Sequence, residues 1–479
     1  MTRSRLTRMN CSFWVSSLIV GLWSLAIYAQ SSTHWFETIK KSASKEQLYS
    51  FLYDLPKGGD LHNHMGLSYL AETWYDAATD ARRKGNEFYT RIRISNCSDS
   101  SEPLVLFRTI QRSTYSKLSD CRKSEYHPLA QLSPQLKQQW LSAIKLDEKG
   151  EGRNEFFEVI GLRLNELFRD PNLVTELLVE NMKRFGGEGL RYLETQAGAA
   201  NFIDQEGNPI DVERGVQFLR DRLNQPDARN TGVTVRFQAG ILRFSPQAEE
   251  NLQRVYEFVD KHRDLWVGIN MAGREDNDKG HALRFLDTYR RMRRKYSGIG
   301  LSIHGGEVDA PGTQVRDTLL LGATRIGHGI NLITDPDTML LMRNGKFLVE
   351  INLVSNRLLE YYPDLSEHPF PEFLRVGIPV NLNTDDRGVW DSNMTDEYYT
   401  AHTLFNLTWD EIVQMGRNSL TFSFAEPQVK ERLLREYEAA IAAFEKKYGA
   451  GAWVQKLAAV KPRSSGYAAR TFGIHLGTN

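Results

Sequence analysis

Eight β-rich runs, most of them set apart from the next by a stretch of helical periodicity, constrain this chain more than any other feature of its sequence. They are "KGGDLHNHM" (57–65), "GLRYLETQ" (189–196), "GVTVRFQAGIL" (232–242) and "LWVGINMAG" (265–273), followed by "IGLSIHGGE" (299–307), "ATRIGHG" (323–329), "KFLVEINLVSN" (346–356) and "GIPVNLNTDD" (377–386). Between most of them lie amphipathic segments such as "VERGVQFLRDRLN", "QAEENLQRVYEFVDKH", "HALRFLDTYRRMRRK", "DTMLLMRN" and "FPEFLRV". Parallel strands need long crossovers, and alternating β and α units supply them. Eight such units predict an α/β fold of the (β/α)8 (TIM) barrel type over residues 57–448.

The rest of the chain is read around that barrel. Arg3, Arg5 and Arg8 precede the apolar stretch "FWVSSLIVGLWSLAIYAQ", which ends in small residues near Ala29. That order is the one of a secretory signal peptide over residues 1–29, with an uncleaved anchor as the alternative. The interruptions at Ser16, Ser17, Gly21 and Ser24 favour cleavage, hence a secreted or periplasmic protein with no stable membrane anchor. A helical lead-in follows at 30–56. Residues 76–150 are polar and read as an insertion after the first strand, with a helix near "LSPQLKQQWLSAIKL" at its end. The helical patterns at 154–168 and 172–185 precede the second strand. Residues 408–448 read as amphipathic helix, and 449–479 as a tail. Of the three cysteines, Cys11 falls in the leader; Cys97 and Cys121 share the insertion, and an oxidising compartment would let them bridge rather than remain free thiols.

The 60 basic and 60 acidic residues cancel, which gives no reason to expect nucleic acid as a partner and turns the reading toward small-molecule chemistry. In a barrel of this kind the active site is built at the C-terminal ends of the strands. The unusual polar residues have that address. His62 and His64 end the first strand at i and i+2, on one face. His304 ends the fifth, His328 the sixth, and Asp385 and Asp386 the eighth. With no cysteine-rich framework, histidine and carboxylate must hold any metal. Three histidines and an aspartate suit one catalytic zinc ion per chain.

The set "LHNH", "HGGE", "RIGHG", "SN" and "NTDD", in this order on successive strands, resembles the adenosine deaminase branch of the amidohydrolases. The stretches "LPKGGDLHNH", "FFEVIGLRLNELFRD" and "GHAL" look closer to its secreted, growth-factor-related members. The likeness spans roughly residues 35 to 445. It implies that His62, His64, His304 and Asp385 hold zinc. It implies that Glu307 protonates purine N1 while water attacks C6, and that His328 orients and helps deprotonate that water. Asp386 would hydrogen-bond N7, and Gly273 in "INMAGRED" would let its backbone approach N3. The reaction implied converts adenosine, and 2'-deoxyadenosine, to inosine and ammonia. Extracellular relatives dimerise through N-terminal helices, so the resemblance also admits a homodimer.

Each residue has a quieter reading beside this one. His328 could be a buried histidine satisfied by backbone, Asp386 an N-cap, and His281 only a helix-start residue. Glu194 reads as a structural carboxylate of the barrel, and Ser355 and Asn356 as braces behind the site. Phe156 and Phe157 either gate the cavity or pack in a helical core. The sequence departs from the family at three places. Met65-Gly66 stands where intracellular members carry Leu-Asp, Leu353-Val354 or a neighbouring pair replaces Cys-Pro, and Arg387 replaces a proline. Metal and acid are intact, so these departures bear on sugar recognition. The competing readings are another amidohydrolase acting on a different aminated base or amide, and a secreted signalling protein that binds through its insertion.

Overall fold

The computed structural model describes residues 34–82, 87–98, 103–275 and 279–477. The expected leader at 1–29 lies outside them. All eight expected strands form, as β1 (Gly58–Asp60), β2 (Leu190–Gln196), β3 (Thr234–Leu242), β4 (Trp266–Ala272), β5 (Gly300–Gly305), β6 (Arg325–His328), β7 (Leu348–Ile351) and β8 (Val380–Leu382). They pair in parallel in that order. The ring closes through a single parallel bridge from Asn63 to Asp385, where the Asp385 N–H donates to the His62 carbonyl at 2.9 Å. The fold is the (β/α)8 barrel that the alternation predicts.

β1 is shorter than its sequence suggests. The strand stops at Asp60 because that carboxylate accepts the His62 N–H at 3.1 Å and the Thr384 N–H at 3.2 Å, taking backbone donors that a ladder would use. "LHNH" therefore bends across the mouth of the barrel. His64 makes only a lone bridge to Gln196. The bend keeps His62 and His64 aimed at one point, as their spacing requires.

Two further segments differ from their simplest reading. Residues 154–168, expected as plain helix, open with a π-helical turn at Glu155–Ile160 before a short α-helix at Gly161–Leu164. The wider turn holds the adjacent Phe156 and Phe157 toward the same cavity. The insertion carries the expected helix (Pro134–Ala143), but also an unexpected antiparallel sheet in which Phe88–Arg91 lies between Thr109–Gln111 and Tyr126–Pro128. A buried carboxylate, Glu125, organises it, paired with Arg91 at 3.1 Å and Arg122 at 3.1 Å. A polar segment can thus fold because its buried charges are neutralised in place.

Cys97 and Cys121 are disulfide-bonded in this insertion. Closing a loop between residues 24 apart is worth about 3 kcal/mol in the chain-entropy account. The paired Cys97→Ser, Cys121→Ser variant is expected to lose up to that much stability. Denaturant midpoints measured beside the wild type check it, and an unchanged midpoint would contradict the expectation.

The lead-in forms α1 (His34–Ser42) and α2 (Lys45–Asp54), the latter opened by a Ser44–Gln47 capping box. Phe36 and Phe51 pack on Trp409, with centroids at 5.4 and 6.5 Å, so the lead-in docks on the helices Trp409–Thr421 and Pro427–Gly449. The tail docks too: Tyr467 and Ile474 are buried, and the Tyr467 N–H donates to the Asp391 carbonyl at 2.8 Å. None of the helices among the described residues is long and apolar enough to cross a membrane.

Candidate active site and metal centre

The C-terminal ends of β1, β5, β6 and β8 bring four imidazoles and two carboxylates together. His62 sits centrally, its ring centroid 5.7 Å from His64, 4.4 Å from His304 and 4.8 Å from His328. Its Nδ1 donates to Glu350 Oε2 at 2.9 Å. Burial works against ionisation of Glu350, but the Arg325 guanidinium 2.7 Å away holds its carboxyl below the usual range. His62 thus carries a proton on Nδ1 and turns its Nε2 to the site.

His304 is set the same way through two side-chain amides. Gln238 donates from Nε2 to the Leu61 carbonyl at 3.1 Å and to Glu194 at 3.0 Å, both pure acceptors. Its oxygen must then accept from Asn270 Nδ2 at 3.2 Å, which leaves Asn270 Oδ1 to accept from His304 Nδ1 at 2.9 Å. Such outer partners fix the tautomer of a metal-ligating imidazole. Burial and the neighbouring histidines push the His304 pKa well down, so the ring is neutral and its Nε2 lone pair is available.

Asp385 faces His62 and His64. Its Oδ1 lies 3.2 Å from His64 Nε2 and 3.6 Å from His62 Nε2. Both His62 Nε2 and Asp385 Oδ1 are buried without a hydrogen-bond partner. Buried polar atoms left in this state are costly, and a cation between them satisfies both. The donor set of imidazole and carboxylate fits a divalent transition metal. The geometry offers two overlapping triplets, His62, His64 and Asp385, and His62, His304 and His328. Asp385 and His328 also hold left-handed backbones, at φ 51° and 62°. Strain of that kind persists where the surrounding structure over-determines it, and it clusters at active sites.

Glu307 is buried beside this cluster, its Oε2 3.6 Å from His328 Nε2. Burial, with the Asp385 and Glu275 charges, pushes its pKa well above the usual carboxylate value. The Glu275 carboxylate accepts the N–H groups of Gly306 and Glu307, each at 3.1 Å, and pairs with Arg243 at 3.4 Å, clamping the turn that carries the acid. Gly306 takes φ 81° there, a conformation that an L side chain strains. Burial and the adjacent Asp385 likewise drive the Asp386 pKa well up, so this side chain can donate a hydrogen bond. Asp386 does not act as a side-chain cap: no cap hydrogen bond forms at the helix Arg387–Trp390.

These groups open on a cavity of about 490 Å3, within the range of about 300–1,000 Å3 that small-molecule sites occupy. His64, His304, Glu307, His328, Asp385, Asp386 and Gly273 all line it, with Phe156, Phe157 and Phe244 among its apolar walls. Gly273 takes φ 104°, and a Cβ there would meet the Phe244 ring at 2.6 Å. Its backbone is therefore exposed to whatever occupies the cavity.

Residues 122–440, more than half of the chain, match the family described as Adenosine deaminase. The chain belongs to the adenosine deaminase family. It is 28% identical over 293 residues to the adenosine deaminase of Plasmodium falciparum, covering 60% of this chain and 77% of that one. It is 26% identical over 301 residues to the N6-methyl-AMP deaminase of Bos taurus, covering 60% and 83%. Its fold matches that of an amidohydrolase from Burkholderia ambifaria with bound Zn, at a TM-score of 0.56 and 18% identity, covering 86% of this chain and 95% of that one. It is a hydrolytic deaminase of a metal-dependent amidohydrolase family whose members act on small molecules.

The family's rim residues converge here as the sequence reading expects, and the quieter assignments resolve. Glu194 lies in the barrel interior, paired with Arg325 at 2.7 Å, and serves the frame. His281 caps a 3-10 turn, accepting the Leu283 N–H at 3.3 Å. Of the departures from the family, Gly66 packs so close to Phe168 that a Cβ would meet its ring at 2.7 Å, and Arg387 is buried on Glu188 at 2.6 Å. The Leu353 and Val354 N–H groups donate to Glu397 at 2.9 and 3.2 Å. Sequence reasoning missed Glu350, Asn270, Glu275, Arg243 and Glu397. For Glu350 and Asn270 a signal existed: each is a polar residue inside an otherwise apolar strand, "LVEI" and "WVGINMA".

Proposed function

We propose that this chain is an exported, zinc-dependent adenosine deaminase that converts adenosine and 2'-deoxyadenosine to inosine or deoxyinosine and ammonia. The observation that carries the reading is the buried, proton-retaining Glu307 on the wall of the cavity that the histidines and Asp385 line. His62, His64, His304 and Asp385 would hold the zinc. Zinc supplies Lewis acidity that lowers the pKa of water to about 7.

The chain's own groups do the rest. Glu307 gives its proton to ring N1 as water adds at C6, so that negative charge does not build on the purine. Asp386, kept protonated, donates to N7. The Gly273 backbone meets N3, and His328 orients the water. Phe156 and Phe157 wall off the base from solvent. One proton of the added water restores Glu307 and the other passes to the C6 amino group, so the C–N bond breaks, C6 becomes a carbonyl and ammonia leaves.

The same cavity separates nucleosides from nucleotides. None of its lining residues, among those described, is lysine or arginine. A 5'-phosphate held within this cavity would have no cationic side chain on its wall, and an unpaired buried charge costs roughly 3–5 kcal/mol, although Arg169 lines the adjoining cavity that shares His64 and Gln196 with it. Adenosine is therefore expected to exceed AMP and N6-methyl-AMP in kcat/KM by at least about 10²-fold. Parallel assays of these substrates, followed by the ultraviolet change on deamination, test the proposal. AMP turnover equal to that of adenosine would sink the nucleoside assignment, and inactivity on all of them would sink the reaction.

A further inference from the structure

The two overlapping triplets leave open whether His328 belongs with the metal or with the water. Its own hydrogen bonds answer this, starting from a group whose role is unambiguous. The Phe370 backbone N–H can only donate, and it donates to His368 Nδ1 at 3.1 Å. A neutral His368 then carries its proton on Nε2, which donates to Asn356 Oδ1 at 3.0 Å. With its oxygen engaged, Asn356 turns its NH2 group to His328 Nδ1, at 3.0 Å. His328 must accept there.

We propose that His368 and Asn356 fix His328 as the Nε2–H tautomer, which excludes it from the metal's ligand set and makes it a donor to the attacking water. All three side chains are buried, so water cannot supply substitute partners. Burial lowers the His368 pKa to about 3, which keeps that ring neutral. The contrast with two of the three proposed imidazole ligands is the decisive point. His62 and His304 donate from Nδ1, which leaves Nε2 as the nitrogen available to a metal, whereas His328 accepts at Nδ1 and points an N–H into the site. The Asn352 amide nitrogen lies 3.3 Å from Nδ1 and 3.4 Å from Nε2, so it does not discriminate between the two, and Asn356 decides. The helix Leu353–Leu358 presents Asn356, and Glu397 anchors its first two N–H groups. A ring that donates from Nε2 holds the water oxygen in place and does not take its proton. His368 and Asn356 are positioning residues, acting through His328.

The proposal rests on the metal-and-acid reading of the site, but its test needs no substrate. Long-range proton–nitrogen spectra of the zinc-loaded, histidine-labelled protein, with His328→Asn used to assign the ring, should show His328 with a protonated Nε2 and a bare Nδ1. A protonated Nδ1 overturns the proposal, whatever any variant does. Asn356→Asp replaces the donor with an acceptor and should reverse the two nitrogens; an unchanged tautomer also overturns it. His328→Asn should hold as much zinc as the wild type, and loss of its metal would return His328 to the ligand set. In activity, His368→Phe should lower kcat by about 10- to 100-fold with KM within a few-fold, and His368→Gln, which keeps an N–H for Asn356, should recover most of it. Because the spectra are read on resting protein, a failed adenosine assignment cannot be confused with a failed tautomer.

Discussion

Replacing Glu307 with glutamine is expected to lower kcat for adenosine by at least about 10²-fold while metal content stays at the wild-type level. Glutamine keeps the size and hydrogen-bonding reach of the side chain but has no proton to release. The backbone of the turn should not move, since Glu275 clamps it through the N–H groups of Gly306 and Glu307 rather than through the acid itself. The ground-state purine is a weak base at N1 and becomes a strong one as water adds to C6. The lost interaction therefore belongs to the transition state, and KM should shift little. Single-wavelength kinetics on adenosine and elemental analysis of the same preparation check both halves. A variant within a few-fold of wild type would remove the acid role from Glu307, and loss of metal would show that the substitution had damaged the centre instead.

The second large effect is expected at the metal. His304→Ala removes an imidazole whose lone pair is aimed into the site by Asn270, and Asp385→Asn removes the charge of a carboxylate that faces His62 and His64 at 3.6 and 3.2 Å. Outer partners of metal ligands cost 10- to 100-fold in affinity or activity when lost, so a direct ligand should cost more than about 10²-fold. Either variant, purified without chelator, is expected to hold far less than one zinc per chain. Wild-type protein stripped by a chelator should lose activity and regain it on adding zinc. Full metal and full activity in His304→Ala would break the ligand assignment, and activity that survives stripping would break the metal requirement itself.

The strand and helix alternation was legible because its periods are local: a run of apolar residues two apart or three to four apart needs no knowledge of the rest of the chain. All eight barrel strands lie within the runs read from the sequence, and the barrel's own geometry gave His62, His64, His304, His328, Asp385 and Asp386 one address. Cys97 and Cys121 were legible for a similar reason, as paired residues within one short segment.

What orients those residues was not legible. His62 meets Glu350 across 288 residues of chain, His304 meets Asn270 across 34, and His328 meets Asn356 across 28. Each partnership exists only once the barrel has closed, because the partner sits on another strand or its loop, and sequence spacing carries no information about that distance. The bend after Asp60 has the same origin: it depends on Thr384, which shares the Asp60 carboxylate only where β8 returns beside β1. So too the insertion, read only as a polar segment, folds around a buried Arg91–Glu125–Arg122 cluster. By itself the sequence determined which residues reach the rim, since that follows from local periodicity and strand polarity. Only the tertiary structure decided which nitrogen each histidine shows to the cavity, because a tautomer is set by whichever donor or acceptor long-range folding places at 3 Å.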